Sequence, residues 1–167
     1  MTDILRLFFM LLLLSISLSA YFLVIAAMFP ERVKTTQQAI DQMPWRSFGV
    51  GLVNFLFFGV ILLVLFTITD GNANRVNSAV RVILLVPTLA LTALLIAAIS
   101  LGLTGMVNVL GDRIFPEFNL LKRNTLSALT LSLACALPFV GWFLLLPYLA
   151  LTGFGATILG FFQRATS

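Results

Sequence analysis

The side chains able to do chemistry are few, and they are poorly placed for it. The chain has six carboxylates (Asp3, Glu31, Asp41, Asp70, Asp112 and Glu117), one thiol (Cys135) and no histidine. Zinc, haem and copper sites would have almost no ligands to draw on, and a Ser/His/Asp system is excluded outright. No glycine loop is followed by Lys-Ser or Lys-Thr, and no GxGxxG pattern occurs. Every carboxylate lies at the edge of an apolar run or between runs. Pumps and proton relays keep an ionisable residue inside the bilayer, and the middles of these runs hold only Ser, Thr and Asn54 as polar groups. Such residues suit helix association. The expectation is a non-catalytic chain with no metal, no evident cofactor and no ion-coupled transport. A channel for a neutral or hydrophobic solute stays open. Cys135 has no partner for an intrachain disulfide, and its apolar neighbours make it a small packed residue.

The surrounding composition explains why chemistry is scarce. Of 167 residues, 60% are apolar and only 10% charged, with a mean hydropathy of +1.11. Soluble domains carry about 25% charged residues, so this chain could not cover a core with polar surface. Hydrocarbon is the solvent that suits it. The net charge of +4 is scattered near the ends of the apolar runs. It forms no basic stripe for nucleic acid and fits topology signals and lipid headgroup contacts.

The pattern predicts an all-α membrane bundle of four to five spans, over about 4–28, 48–69, 82–110, 126–137 and 142–162, in a single transmembrane domain 1–167. The first run, interrupted only by Arg6, outlasts the 7–15 apolar residues of a signal peptide, and is expected to span. Pro30 starts a new helix. Over 31–43, Val33, Ala39, Ile40 and Met43 gather on one face, which predicts a short amphipathic helix in the headgroup layer; a polar loop is the plainer alternative. Trp45 and Arg46 follow as interfacial anchors, joined by Arg32, Lys34 and Trp142. Gly51 and Gly59 on the second span, and Ala98 and Gly102 on the third, permit close helix approach. Asn54 is expected to bond to a partner helix. Pro87 sits near the start of the third span, and a polar connection is expected to reach Asn124. The last apolar stretch, 125–162, is nearly twice a bilayer thickness as one helix. Pro138 and Gly141 break it into two helices, the first short and re-entrant in one version. Ala128, Ser132 and Ala136 recur every four residues on that first half, a face for tight packing.

Loops 30–47 (Arg32, Lys34, Arg46) and 111–124 (Arg113, Lys122, Arg123) fall on one side by helix parity. Arg6, Arg75 and Arg81 fall on the other, and Arg164 joins the first side only if the last stretch crosses twice. The basic excess places loops 30–47 and 111–124 in the cytoplasm.

Three stretches carry a family resemblance. They are Phe29-Pro30 with Val33, then Pro44-Trp45-Arg46-Ser47-Phe48-Gly49-Val50-Gly51-Leu52, then Ala136-Leu137-Pro138-Phe139-Val140-Gly141-Trp142 with Leu151-Thr152-Gly153-Phe154-Gly155-Ala156. Together they resemble a bacterial and archaeal multi-span membrane module that often follows bactofilin-like, polymer-forming repeat domains. The resemblance implies the same order of spans and a prokaryotic inner or internal membrane, and it carries over no catalytic residue. Two departures stand out. Where such modules commonly break the second span with an Ile-Gly-Ile-Pro-like sequence, this chain has Phe66-Thr67-Ile68-Thr69. No repeat domain precedes the module within these residues, so the polymer-anchoring role is not the expected one.

The leading functional expectation is a non-catalytic subunit or scaffold that packs laterally against other membrane proteins or itself, for instance as an accessory subunit of a larger membrane complex. A solute channel through the broken last stretch and a lipid-organising role for the 31–43 helix are the alternatives. The membrane assignment has a direct test. The protein should pellet with membranes and resist alkaline carbonate; a compact chain, freely soluble without detergent, would overturn it.

Overall fold

Hydrocarbon offers backbone groups no water, so each N–H and C=O must be paired within its own segment, and long apolar runs become long helices. A computed structural model of the chain describes residues 2–71, 78–136 and 139–164. Six α-helices follow one another: α1 (Thr2–Met28), α2 (Pro30–Gln42), α3 (Pro44–Gly71), α4 (Ser78–Ile114), α5 (Leu120–Ala136) and α6 (Leu146–Arg164). A π-helical turn, Val140–Leu145, leads into α6. There is no strand among the described residues. Four helices hold stretches long and apolar enough to cross a membrane: Phe8–Met28, Pro44–Ile68, Ile83–Ile114 and Phe143–Phe162. The protein is an all-α integral membrane bundle.

The helix ends differ from the expected spans for local reasons. Pro44, Trp45 and Arg46 belong to α3, whose first turn tolerates a proline that lacks an N–H. Phe66-Thr67-Ile68-Thr69 makes no break, because α3 continues to Gly71 and the Thr67 hydroxyl donates to the Leu63 carbonyl at 2.7 Å. Pro87 sits inside α4 and does not end it. The polar connection expected to reach Asn124 is shorter than that: α5 begins at Leu120, and the Arg123 N–H donates to the Asn119 carbonyl at 2.9 Å. The last stretch divides into two helices, with α5 the short one. Pro138 lies outside the described residues. Beyond it Phe139 takes a left-handed backbone, φ 70°, which a non-glycine residue rarely adopts.

Packing is centred on α6. Within its apolar stretch 44% of residues are buried, against 6% for the stretch in α3. Helices α2, α3 and α4 all lie against it, while α1 packs on α4 and α5. Two apolar clusters fill the spaces between. Phe22, Val107, Ala128, Leu131 and Leu149 join α1, α4, α5 and α6. Ala39, Ile40, Val109 and Ala156 join α2, α4 and α6. The short amphipathic helix expected over 31–43 is therefore formed as α2, with its apolar face against protein: Val33, Ala39 and Ile40 are all buried.

Two glycines on α6 explain how neighbours reach it from both sides. Gly153 and Gly155 are two residues apart, so they point about 200° apart around a 3.6-residue helix. An added Cβ on Gly153 would collide with the backbone of Gly102 on α4. One on Gly155 would collide with the Ser47 carbonyl and the Gly51 backbone on α3. Gly59, by contrast, faces open space. Gly155→Leu or Gly102→Leu should destabilise the bundle at or beyond the top of the range of about 1–3 kcal/mol for overpacking. Gly59→Leu should leave stability unchanged within about 0.5 kcal/mol, as for surface substitutions. Unfolding of each variant in detergent, followed by circular dichroism, makes the comparison.

Candidate functional site

Three arrangements gather the residues of interest, and all are suited to binding and packing. The first is the set of close crossings around α6. Gly51 meets the Leu151 carbonyl and Gly155; Gly102 meets Gly153. Ala98 lies next to the second crossing and takes a hydrogen bond through its carbonyl from the Thr157 hydroxyl, 3.2 Å. Phe154, 1% exposed, fills the space between the two glycines in sequence. Thus Gly51, Ala98, Gly102 and Ala128 stand in helix contacts. Gly153 and Gly155 were not singled out as packing residues by sequence reasoning. Their spacing of two, rather than four, hid them from a small-xxx-small search, although the spacing itself signals a helix approached from opposite faces.

The second arrangement is a polar clasp around the C-terminal end of α4. Asp112 accepts from Arg123 of α5 at 2.7 Å and from the Gln37 amide of α2. Arg113 pairs with Asp41 of α2 at 3.0 Å. One short segment of α4 thereby holds both α2 and α5. The two pairs differ in setting. The Arg123 side chain is 21% exposed and that of Arg113 68%. Gly111 lets Arg123 and Ser127 lie directly on α4, since a Cβ there would meet the Ser127 hydroxyl at 2.9 Å. Buried Asn124 Oδ1, Asn108 Oδ1 and Arg123 Nε near this end have no hydrogen-bond partner.

The third is a shallow cleft between α2 and α6 lined by Arg32, Thr35, Thr36, Thr157, Gly160 and Phe161. Its enclosed space is about 10 Å³, room for roughly one water and far below the range of about 300–1,000 Å³ for sites that engulf a small molecule. The Arg32 guanidinium lies 4.2 Å from the Phe161 ring centroid, a cation–π contact.

The other expected residues are more dispersed. Asn54 turns back on its own helix, donating to the Val50 carbonyl at 2.9 Å, so its amide does not bridge to a neighbour. Trp45 is 81% exposed, and Arg46 reaches back to the Met43 sulfur at 3.4 Å. Lys34 is exposed. Gly141 is buried against the carbonyls of Ala134 and Cys135, which closes the turn between α5 and α6. Ser132 is half-buried, with a hydroxyl that finds no partner. The side chains of Ala136 and Trp142 lie outside the described residues. Among the described residues no group of three or more His, Cys, Asp or Glu side chains could hold a metal.

Comparison with known protein families, with curated proteins and with solved structures finds no match. The resemblance to the prokaryotic membrane module thus rests on its sequence motifs alone.

The clasp predicts an ordering. Asp112→Ala removes the partner of a largely buried guanidinium and should cost on the order of 1–3 kcal/mol. Asp41→Ala breaks an exposed pair and should cost roughly 0–1 kcal/mol. Denaturant titrations in detergent would show the ordering, and a larger loss at Asp41 would refute it.

Proposed function

We propose that this chain is a non-catalytic subunit or scaffold of the membrane, packing laterally against other integral membrane proteins or against copies of itself. The observation that carries this is the outer face of α3. Gly49 and Gly59 have nothing within 4 Å of a built Cβ. Leu52, Val53, Leu56, Val60 and Leu63 share their side of the helix and are exposed. From Gly49 these positions fall at steps of 3, 4, 7, 10, 11 and 14, a seam like those along which helices pair. Inside the bundle, the same chemistry of small residues among aliphatic ones makes the α6 crossings. On α3 it is repeated outward, where lipid leaves van der Waals packing as a main reason for helices to associate.

The side occupied by the basic segments belongs to the same proposal. Gln37–Asp112 and Asp41–Arg113 draw segments 30–47 and 111–124 together, which supports placing their Arg and Lys residues on one face, the cytoplasmic one by the positive-inside rule. The membrane would be a prokaryotic inner or internal one, on the strength of the motif resemblance. A solute channel gains less support, since the middle of α6 is filled by backbone from two neighbours.

Extraction in a mild detergent followed by native mass measurement tests the lateral role. The chain should run as an assembly larger than one copy. Joint Gly49→Leu and Gly59→Leu substitution should release it while leaving its helical signal and unfolding temperature intact. A wild-type chain that emerges single and partnerless from native membranes would defeat the proposal.

A further inference from the structure

We propose that the turn between α4 and α5, residues 114–121, seats in the interfacial layer of the bilayer and anchors that end of the bundle to phospholipid. The short helix α2 has the composition for such a role, but its oily face is already taken. Its apolar residues Val33, Ala39 and Ile40 are buried against protein. From Glu31 onward the residues it exposes, Glu31, Lys34, Gln38, Asp41 and Gln42, are all polar. The oily surface beside the clasp lies on the turn. Ile114, Phe118, Leu120 and Leu121 are 49–72% exposed. Phe115 is half-buried, and its ring lies 6.1 Å from that of Phe118.

Two observations name phospholipid as the occupant. The patch continues the apolar stretch Ile83–Ile114 of α4, so it extends a surface that an integral membrane bundle turns towards lipid. It is also bracketed by charge. Asp112 and Arg113 precede it, Lys122 and Arg123 follow it, and Glu117 stands in its middle. Hydrocarbon proper does not suit the segment, because Glu117 would be carried into it. Bulk water does not suit it either, because four large apolar side chains would stay hydrated. The layer between them suits both: aromatic rings settle at headgroup level, and long basic side chains reach outward from it.

The backbone is prepared for that layer. The Phe115 N–H donates to the Gly111 carbonyl at 2.9 Å, Phe118 to Phe115 at 3.4 Å and Arg123 to Asn119 at 2.9 Å. Pro116 has no N–H to satisfy. An anchor here also fixes the depth of the clasp, since Asp112, Arg113 and Arg123 flank the turn directly.

The test uses the full chain with Cys135→Ala, reconstituted in vesicles of phosphatidylcholine and phosphatidylglycerol. Single cysteines at Phe118 and Leu121 carry a nitroxide, and Leu120→Cys replaces either one if its helical signal is lost. Glu117→Cys serves as the outward reference and Ile96→Cys, in the middle of the apolar stretch of α4, as the deep one. Collision with oxygen, which concentrates in lipid, is compared with collision with a water-soluble nickel chelate. The ratio of oxygen to nickel collisions at Phe118→Cys and Leu121→Cys should exceed that at Glu117→Cys severalfold and fall below that at Ile96→Cys. A ratio equal to that at Glu117→Cys would put the patch in water, and one equal to that at Ile96→Cys would put it in hydrocarbon; either overturns the proposal. Exclusion of both reagents would show the patch covered by protein and overturn it as well.

Discussion

Helices in hydrocarbon gain little from burying apolar side chains, because lipid tails are as oily as leucine. What remains is the closeness with which two backbones can approach. In this protein that closeness is concentrated on one helix. Gly153 lets α4 in from one side and Gly155 lets α3 in from the other. Thr152, Phe154 and Ala156 alternate with these glycines along the helix and are buried as well. The bundle is thus organised around a helix whose neighbours touch its main chain. Leu149 and Ala156 extend those contacts into the two apolar clusters.

Polar groups are handled with similar economy. Most hydroxyls on the long helices donate to the carbonyl four residues back, as Ser19, Thr88, Thr92, Ser100 and Thr104 do. They need no neighbour and place few demands on packing. Tyr21 is different: its hydroxyl crosses to the Ser100 hydroxyl at 2.7 Å and fixes α1 against α4. The ion pairs described above gather at the end of α4, where Asp112 serves two helices at once. Polar cross-links and glycine crossings therefore divide the work. The former set where helix ends sit, and the latter set how deeply their middles interlock.

Much of this architecture is legible in the sequence, because a run of twenty oily residues has few alternatives to a spanning helix. The short helix after Pro30 and the break between α5 and α6 were equally readable, from proline and from length. Contacts were harder. The apolar face of α2 reads as lipid-seeking, since Val33, Ala39 and Ile40 would suit either oil or protein; only the fold shows which. The start of α5 at Leu120 was hidden by Lys122, Arg123 and Asn124, which look like a loop until Asp112 is seen beside Arg123. Asn54 was expected to seek another helix, but a closer acceptor lay in its own. The helix crossings show the same divide: Gly51 and Gly102 are legible from their size, while Gly153 and Gly155, two residues apart, are hidden from a search for small residues every four.

The central position of α6 has a consequence for how the molecule is made. Ribosomes deliver α3 and α4 first, with Gly51 and Gly102 already in place and nothing to fill the hollows they create. The matching glycine Gly155 emerges roughly 100 residues after Gly51, which at about 5–20 residues per second is a wait on the order of 5–20 seconds. During that interval α3 and α4 sit in the bilayer as a keyhole without its key, while the clasp at the end of α4 ties that helix to α2 and, once it has arrived, to α5. The nascent protein is therefore an open assembly for most of its synthesis, and the translocation machinery or surrounding lipid must keep those vacant grooves from closing on something else.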